Sequence, residues 1–177
     1  MKRNNIKERI KEHFFVNPTI KLRVRQIERE LKLPLPSVIR YTKELEKEGI
    51  LKKTSISGVL TYSADRISKN YLIEKKMFNI KSLYKCGLID YLIDELYNPV
   101  IATFGSYSRG EDIETSDIDI YIETPSDKKL HLEKYEKMLK RKIQMFIHKD
   151  ILKVKNKELA NNILNGVVLN GYIEVFR

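Results

Sequence analysis

Two segments decide the fold of the C-terminal half of this chain: VIATFGSYSRG at residues 100–110 and SDIDIYIE at residues 116–123. Each contains an apolar run with the β-branched content of a buried strand. The first run ends in a turn of small residues that begins at Gly105. The second carries Asp117 and Asp119. Because residues i and i+2 of a strand face the same side, these two carboxylates are expected to project together.

This layout can hold a polyphosphate and a divalent cation side by side. Gly105 lets the backbone approach a phosphate closely, and Ser106 offers a hydroxyl where the N–H groups of a helix start favour anions. Arg109 can reach a terminal phosphate. Mg²⁺ prefers one or two protein carboxylates and leaves positions free for phosphate oxygens. The alternative is a capped helix followed by two solvated aspartates, which the repulsion between paired carboxylates disfavours.

The rest of the C-terminal part alternates between strands and helices. After the strands at residues 100–104 and 117–123, the pattern predicts a helix at 128–140, a strand at 142–148, a helix at 156–165 and a final strand region at 167–176. The basic run at residues 140–142 is expected at a solvated edge. Residues 98–177 are therefore predicted to form a small α/β domain with a mixed sheet.

The spacing of the two motifs resembles that of a known superfamily. Gly105-Ser106, ten intervening residues and then Asp-Ile-Asp resemble the signature of the DNA polymerase beta-type nucleotidyltransferases. The Ser-Arg-Gly of residues 108–110 and Ser116 resemble the minimal, small-domain branch of that superfamily, found among prokaryotic proteins and antitoxins. The resemblance covers roughly residues 98–177.

The resemblance implies transfer of a nucleotidyl group from an NTP, with ATP expected, to an acceptor hydroxyl. It implies Mg²⁺ or Mn²⁺ as cofactor and a toxin protein as one candidate partner. The nucleotide-binding residues would be Gly105, Ser106 and Arg109, and the catalytic and metal-binding residues Asp117 and Asp119.

One position departs from the pattern of the active members, which carry a third carboxylate on the following strand. That strand is KIQMFIH at residues 142–148, and Gln144 stands where the carboxylate is expected. An amide is a weaker metal ligand and no base. Glu123 is four residues from Asp119, and Asp150 falls beyond the strand. Two functions stay open: an active nucleotidyltransferase, or a regulator whose degenerate domain senses nucleotide or binds a partner without turnover.

Residues 1–66 have the element order of a winged helix-turn-helix. The spacing of apolar residues predicts helices at about 6–15, 24–32 and 36–48, and Gly49 is a natural left-handed cap. A two-stranded ribbon is expected from residues 50–54 and 59–63. The inner face of the third helix is predicted to carry Val38, Tyr41 and Leu45.

The positive charge of the chain is concentrated in this first third. Of a net +10, residues 1–66 contribute +8, from 16 Lys and Arg against 8 Asp and Glu. This asymmetry indicates a polyanion, and the winged-helix order indicates double-stranded DNA. The candidate DNA-binding residues are Ser37, Arg40, Lys43, Lys47, Lys52 and Lys53, with Arg23 and Arg25 as candidate backbone contacts. Dimerisation, protein contact and RNA binding are the alternatives.

Residues 67–97 are predicted to be a helical connector, which gives an α+β chain with a helical link between two domains. Its long helix carries an apolar stripe expected to pack in a core: Ile73, Met77, Ile80 and Tyr84. The same stripe fits a homodimer contact or packing on the chain's own C-terminal domain, and the sequence does not decide.

Composition limits the remaining classes of protein. Cys86 is the only cysteine of the 177 residues, which excludes an intrachain disulfide and a cysteine zinc cluster. No apolar run approaches the ~20 residues of a membrane span, and no signal-peptide core follows the N-terminus. A cytoplasmic protein without a membrane partner is expected.

Overall fold

The computed structural model describes residues 3–56 and 58–176, and the chain divides into two compact units, Met1–Phe78 and Asn79–Arg177. The boundary lies inside one helix, in the segment predicted to be a connector. No helix of the described part is both long and apolar enough to cross a bilayer.

The first unit has three helices followed by a two-stranded antiparallel ribbon, which confirms the predicted element order. The elements are α1 (Arg3–Val16), α2 (Val24–Leu31), α3 (Leu35–Lys47), β1 (Leu51–Ile56) and β2 (Val59–Ala64). Pro36 lies in the first turn of α3, where a missing N–H costs nothing, and Gly49 has the positive φ expected of a helix cap. An additional bridge pairs Leu22 with Tyr62.

Apolar residues from all three helices and the ribbon form the core of this unit. Val38 and Leu45 of α3 are fully buried and Tyr41 is nearly so, as its sequence spacing predicted. They pack with Ile10 and Phe14 of α1 in one hydrophobic cluster. The amphipathic periodicity of α1 and α3 was therefore sufficient to identify their inner faces.

The next helix, α4 (Lys69–Lys85), buries a different face from the one predicted. Met77 is 63% exposed and Ile73 51% exposed, so the prediction of a core stripe through these residues is wrong. The buried face instead carries Tyr71 and Leu83. Tyr71 packs edge-on against Phe15, with ring centroids 5.4 Å apart. Tyr71 is thus buried against α1, while the face with Ile73 and Met77 is exposed.

The second unit is built on a mixed four-stranded sheet, which confirms the predicted sheet type. Its elements after α4 are α5 (Leu88–Glu95), β3 (Val100–Phe104), α6 (Gly105–Arg109), β4 (Ile118–Glu123), α7 (Glu133–Leu139), β5 (Ile143–His148), a 3-10 turn (Ile151–Lys153), α8 (Lys157–Leu164) and β6 (Val167–Asn170). The strand order is β5-β4-β3-β6, with β4 and β5 parallel and the other pairs antiparallel.

Alternate residues of β4 supply the two faces of the sheet. Ile118, Ile120 and Ile122 belong to a cluster with α5, and Tyr121 belongs to a cluster on the opposite face with Ile163 of α8. Asp119 therefore shares the α8 face with Tyr121, because strand residues two apart point the same way.

Two predicted elements are shorter than expected. The helix expected at residues 128–140 begins only at Glu133, since the hydroxyls of Thr124 and Ser126 accept backbone N–H groups and hold the preceding loop in turns. The strand expected to reach residue 176 ends at Asn170, because Gly171 takes a positive φ of 69°. Neither difference affects the Gly105 and Asp119 segments.

Candidate functional site

Gly105 is the residue at which β3 ends and α6 begins. Two features of the structure, its backbone conformation and a close contact, require a residue without a side chain here. Its φ is +70°, a conformation that L residues with a Cβ rarely adopt. A Cβ at this position would lie 2.3 Å from Oδ2 of Asp119. The glycine thus allows the Asp119 carboxylate to lie directly against the turn, which brings the two sequence motifs together.

The serines around this turn hold the backbone in place. The hydroxyl of Ser108 donates to the carbonyl of Gly105 at 2.9 Å, and the Ser116 hydroxyl accepts the N–H of Ile113 at 2.9 Å. Ser106 is half-buried at the start of the five-residue helix α6. Ser108 and Ser116 are therefore occupied in turn geometry, whereas no hydrogen bond of the Ser106 hydroxyl is seen among the residues that the structure describes.

Strand register aligns three side chains in one row across the α8 face of the sheet. Phe104 of β3 pairs with Asp119 of β4, and Asp119 pairs with Gln144 of β5. The Thr103 hydroxyl donates to the Asp119 carbonyl at 3.1 Å, which anchors this end of β4. Gln144 thus lies on the neighbouring strand directly beside Asp119, and its side chain is exposed.

Burial and a neighbouring carboxylate act together on Asp119. Desolvation raises the pKa of Asp119 above its usual range, and the negative charge of Asp117 raises it further. The positive charge of Arg109 opposes both effects. Asp117 itself is exposed, one residue before β4 begins. The three side chains therefore lie within electrostatic reach of one another, with two anions and one cation at the site.

Arg109 already has a carboxylate partner, which the sequence did not identify. Its Nε donates to Oε2 of Glu111 at 2.7 Å, and both side chains are about half exposed. An exposed pair of this kind contributes little stability and opens readily. Arg109 can therefore exchange Glu111 for another anion at low cost.

Glu123 and Asp150, the two carboxylates that could replace a third metal ligand, are each engaged in other hydrogen bonds. Glu123 accepts a hydrogen bond from the Tyr121 hydroxyl at 2.9 Å and lies four residues further along β4 than Asp119. Asp150 accepts the backbone N–H of Lys153 at 3.1 Å and caps the 3-10 turn. Within residues 3–56 and 58–176, no group of three or more His, Cys, Asp or Glu side chains is placed to hold a metal ion.

A buried polar network supports the loop between α6 and β4, and sequence reasoning missed it. Asp112 is 1% exposed; it accepts Nδ2 of Asn79 at 2.7 Å and lies 3.6 Å from the Arg141 guanidinium. Asn79 also donates to the carbonyl of Tyr107 at 2.9 Å. The prediction of a solvated edge is wrong for Arg141, whose side chain is only 5% exposed. A run of three basic residues gave no signal that the middle one is paired in the interior.

A groove of about 530 Å³ opens next to Asp117. It lies between the loop before β4 and the end of α7, and its lining mixes carboxylates with basic side chains, among them Glu133, Lys137 and Lys140. Oε2 of Glu136 accepts Nζ of Lys142 at 3.0 Å at its wall. The groove offers room for a polar group beside the aspartate pair.

The candidate DNA-binding residues of the first unit are mostly exposed, but they do not form one free surface. Arg40, Lys43 and Lys47 are exposed on α3, and Ser37 is half-buried. Nε of Arg40 donates to Glu44 at 2.8 Å, and the guanidinium lies over the Tyr41 ring. Lys52 and Lys53 are consecutive residues of β1 and so point to opposite faces of the ribbon.

Comparison with known proteins gives one match. Residues 85–168 match the family model described as "Nucleotidyltransferase domain", a little under half of the chain. The matched range contains the Gly105 turn, both aspartates and Gln144, and it supports nucleotidyl transfer as the general activity of this region. The comparisons with curated proteins and with solved structures found no significant match.

Proposed function

We propose that the nucleotidyltransferase domain binds an NTP, with ATP as the first candidate, and transfers its nucleotidyl group to an acceptor hydroxyl. The observation that carries this proposal is the Asp119 carboxylate lying against the Gly105 turn, with Asp117 close enough to raise its pKa, in the region that matches the family model. Burial and the charge of Asp117 raise the pKa of Asp119, and two neighbouring carboxylates favour a bound cation. The adjacent glycine leaves the backbone free to approach a phosphate.

The donor set fits Mg²⁺ or Mn²⁺. Asp117 and Asp119 supply two carboxylates, and Mg²⁺ sites commonly use one or two, with water and substrate phosphates completing the shell. When bound, the cation would offset the charge on the phosphate oxygens. Arg109 would leave Glu111 to bind a phosphate oxygen, and the Ser106 hydroxyl would donate to another.

Gln144 supports the second candidate function, a regulator whose domain binds nucleotide or a partner without turnover. Its register beside Asp119 puts an amide where active members of the superfamily have a carboxylate. An amide cannot accept the proton of an attacking hydroxyl. If Asp119 accepted that proton, it would lose the negative charge with which it binds the cation. Binding is therefore better supported than transfer.

Thermal melting with and without ATP and Mg²⁺ tests the binding site. The wild type is expected to gain several degrees at saturating ligand, and Asp117→Asn/Asp119→Asn to gain none. Asp90→Asn/Asp94→Asn removes two exposed carboxylates from α5 of the same unit and is expected to retain the shift. Equal shifts in all three proteins would place the nucleotide elsewhere.

A transfer assay with labelled NTPs separates the two candidate functions. If Gln144 is what limits turnover, Gln144→Asp will exceed the wild type by at least about tenfold, as expected for gain of a general base. Gln144→Asn, which has the size of Asp without its charge, will stay at the wild-type level. A wild type as active as Gln144→Asp would mean that the base lies at another residue.

We also propose that the first unit is a winged helix-turn-helix that binds double-stranded DNA, which would make the chain a transcriptional regulator or antitoxin. Its three helices, its ribbon and the +8 charge of residues 1–66 support this proposal. A band shift with Lys43→Gln/Lys47→Gln tests the outer face of α3. Unchanged affinity and salt dependence would argue against that face.

The acceptor and the assembly are the finer parts of the proposal. By its resemblance to minimal nucleotidyltransferase antitoxins, the acceptor would be a side-chain hydroxyl of a toxin protein encoded beside this chain, for example a small HEPN-type toxin. Intact mass of the coexpressed partner, incubated with ATP and Mg²⁺, would show the added nucleotidyl group. The exposed Ile73 and Met77 support a homodimer, which light scattering over a concentration series tests.

A further inference from the structure

We infer that the sugar–phosphate backbone of a nucleic acid binds in a groove of the first unit that lies outside the α3 stripe. The groove has a volume of about 680 Å³ and lies between the segment before α2, α2 itself and strand β2. Its lining consists of Lys21, Arg23, Arg25, Gln26, Arg29, Val59 and Thr61. This inference deepens the proposed binding of a nucleic acid by the first unit and rests on it.

The groove gathers four cations without a single carboxylate in its lining. Lys21, Arg23, Arg25 and Arg29 are all exposed, and none of them forms an ion pair with any residue in the described part of the chain. Four like charges around one concavity raise its potential and attract a polyanion.

Some other cations of this unit are already paired with carboxylates. Lys7 pairs with Glu48 at 2.6 Å, and Lys11 pairs with both Glu8 and Glu74. Arg40, the arginine of the α3 stripe, pairs with Glu44 at 2.8 Å. Three arginines of the groove are thus available for phosphate, while the one on the α3 stripe must first leave a carboxylate.

Backbone hydrogen bonds and helix geometry determine the positions of the four basic residues. Leu22 is buried, and its N–H donates to the Tyr62 carbonyl at 2.9 Å, so Lys21 and Arg23 flank it on the opposite side. Arg25 and Arg29 are four residues apart on one face of α2. Gln26 locks the start of that helix, because its Oε1 accepts the N–H of Arg23 at 2.8 Å.

The spacing of these pairs fits a polymer with repeated charges. The Cα atoms of Lys21 and Arg23 are about 6–7 Å apart along an extended segment, and those of Arg25 and Arg29 are about 6 Å apart along a helix. A single phosphate would need cations that converge on one point, whereas a nucleic-acid strand presents a charge at every nucleotide. Two rows of separated cations therefore favour a backbone of linked phosphates.

Fluorescence polarisation with a 20-base-pair DNA duplex and an RNA duplex of the same sequence, over a salt series, tests this inference. Arg25→Gln/Arg29→Gln removes two groove charges with little change in helix propensity. It is expected to weaken binding at least about tenfold at low salt and to reduce the slope of log K against log salt by about 2 for DNA. Loss on either duplex supports the inference.

The matched control is Arg66→Gln/Lys69→Gln, which removes two exposed charges of the same unit that do not line the groove. Unfolding curves of both variants establish that they are folded. A groove variant that binds both duplexes as the control does, or a wild type that binds neither, would overturn the inference. If Lys43→Gln/Lys47→Gln loses binding while the groove variant does not, the α3 proposal stands and the groove is excluded.

Discussion

At the scale of single residues, the candidate site depends on the contact between Gly105 and Asp119. The two residues belong to different strands and are brought together because Phe104 pairs with Asp119. The missing side chain at position 105 leaves the space that the carboxylate occupies. The surrounding hydrogen bonds of Ser108 and Ser116 hold the backbone on either side of this contact.

Gly105→Ala tests this contact, with Gly87→Ala as its matched control. Both glycines have a positive φ, but a Cβ at Gly87 meets nothing within 4 Å. The control is expected to lose about 1–2 kcal/mol of stability from backbone strain alone. Gly105→Ala is expected to lose about 1–3 kcal/mol more and to lose the melting shift given by ATP and Mg²⁺. Equal losses, with the shift retained, would contradict the proposed geometry.

At the scale of elements, register and helix orientation decide which side chains become functional. The parallel pairing of β4 with β5 aligns Gln144 with Asp119, and a slip of one residue would turn Gln144 away. In α4 two apolar stripes compete, and the one with Tyr71 and Leu83 is buried although two polar residues interrupt it. Packing partners, not hydrophobicity alone, select the inner face.

Alanine substitutions along α4 test that assignment. Leu83→Ala is expected to cost about 2–4 kcal/mol, because Leu83 is fully buried in the cluster that includes α5. Met77→Ala is expected to cost less than about 0.5 kcal/mol, because its side chain is 63% exposed. Urea unfolding of both variants measures the difference. Similar losses of stability for the two variants would support the core stripe through Ile73 and Met77 that the sequence predicted.

The stability contributed by the contact between α7 and β5 is expected to depend on pH. Glu136 accepts the N–H of Ile143 and the ammonium of Lys142, each at 3.0 Å, and these hydrogen bonds lower the pKa of Glu136 below its usual 4.5. The stabilisation is therefore complete above about pH 4.5 and is lost as pH falls through the lowered value.

Glu136→Gln is expected to lose about 0.5–1 kcal/mol at pH 7 and progressively less as the pH is lowered through that range. Glu133→Gln, an exposed change in the same helix, is expected to show no such trend. Urea unfolding across the pH range measures both variants. A pH-independent loss for Glu136→Gln would assign its role to shape and not to charge.

At the scale of the whole molecule, charge and chemistry are divided between two units. Residues 1–66 hold +8 of the net +10, and the aspartate pair lies in the other unit. On the proposed functions, the basic unit is expected to bind a nucleic acid directly, and the aspartate pair a nucleotide through a cation. We therefore expect each unit to bind its own ligand, a nucleic acid in the first and a nucleotide in the second.

Hydrogen exchange measured by mass spectrometry tests this division. ATP with Mg²⁺ is expected to slow exchange severalfold in peptides from residues 100–123 and to leave residues 20–61 unchanged. A DNA duplex is expected to do the reverse. Protection of both regions by one ligand would contradict separate binding sites. Asp117→Asn/Asp119→Asn should abolish the first effect and keep the second.

The sequence alone determined the elements and the aspartate motif. Alternation and helical spacing are local properties, so the three helices, the ribbon and the succession of strands and helices along the chain could be predicted. Gly105, Asp117 and Asp119 were identifiable because a turn after a strand and two carboxylates at i and i+2 have one simple geometry. Their family resemblance agreed with the match over residues 85–168.

Only the tertiary structure decided which groups are paired, buried or left available. The Asp112–Arg141 pair and the arginine-lined groove each join segments distant in sequence, and the Arg109–Glu111 pair forms where α6 ends. The inner face of α4 also depended on what packs against it. Local periodicity predicts which residues can lie on the same face of an element. Whether a side chain is buried or paired with an opposite charge depends on the residues that pack against it in the folded structure.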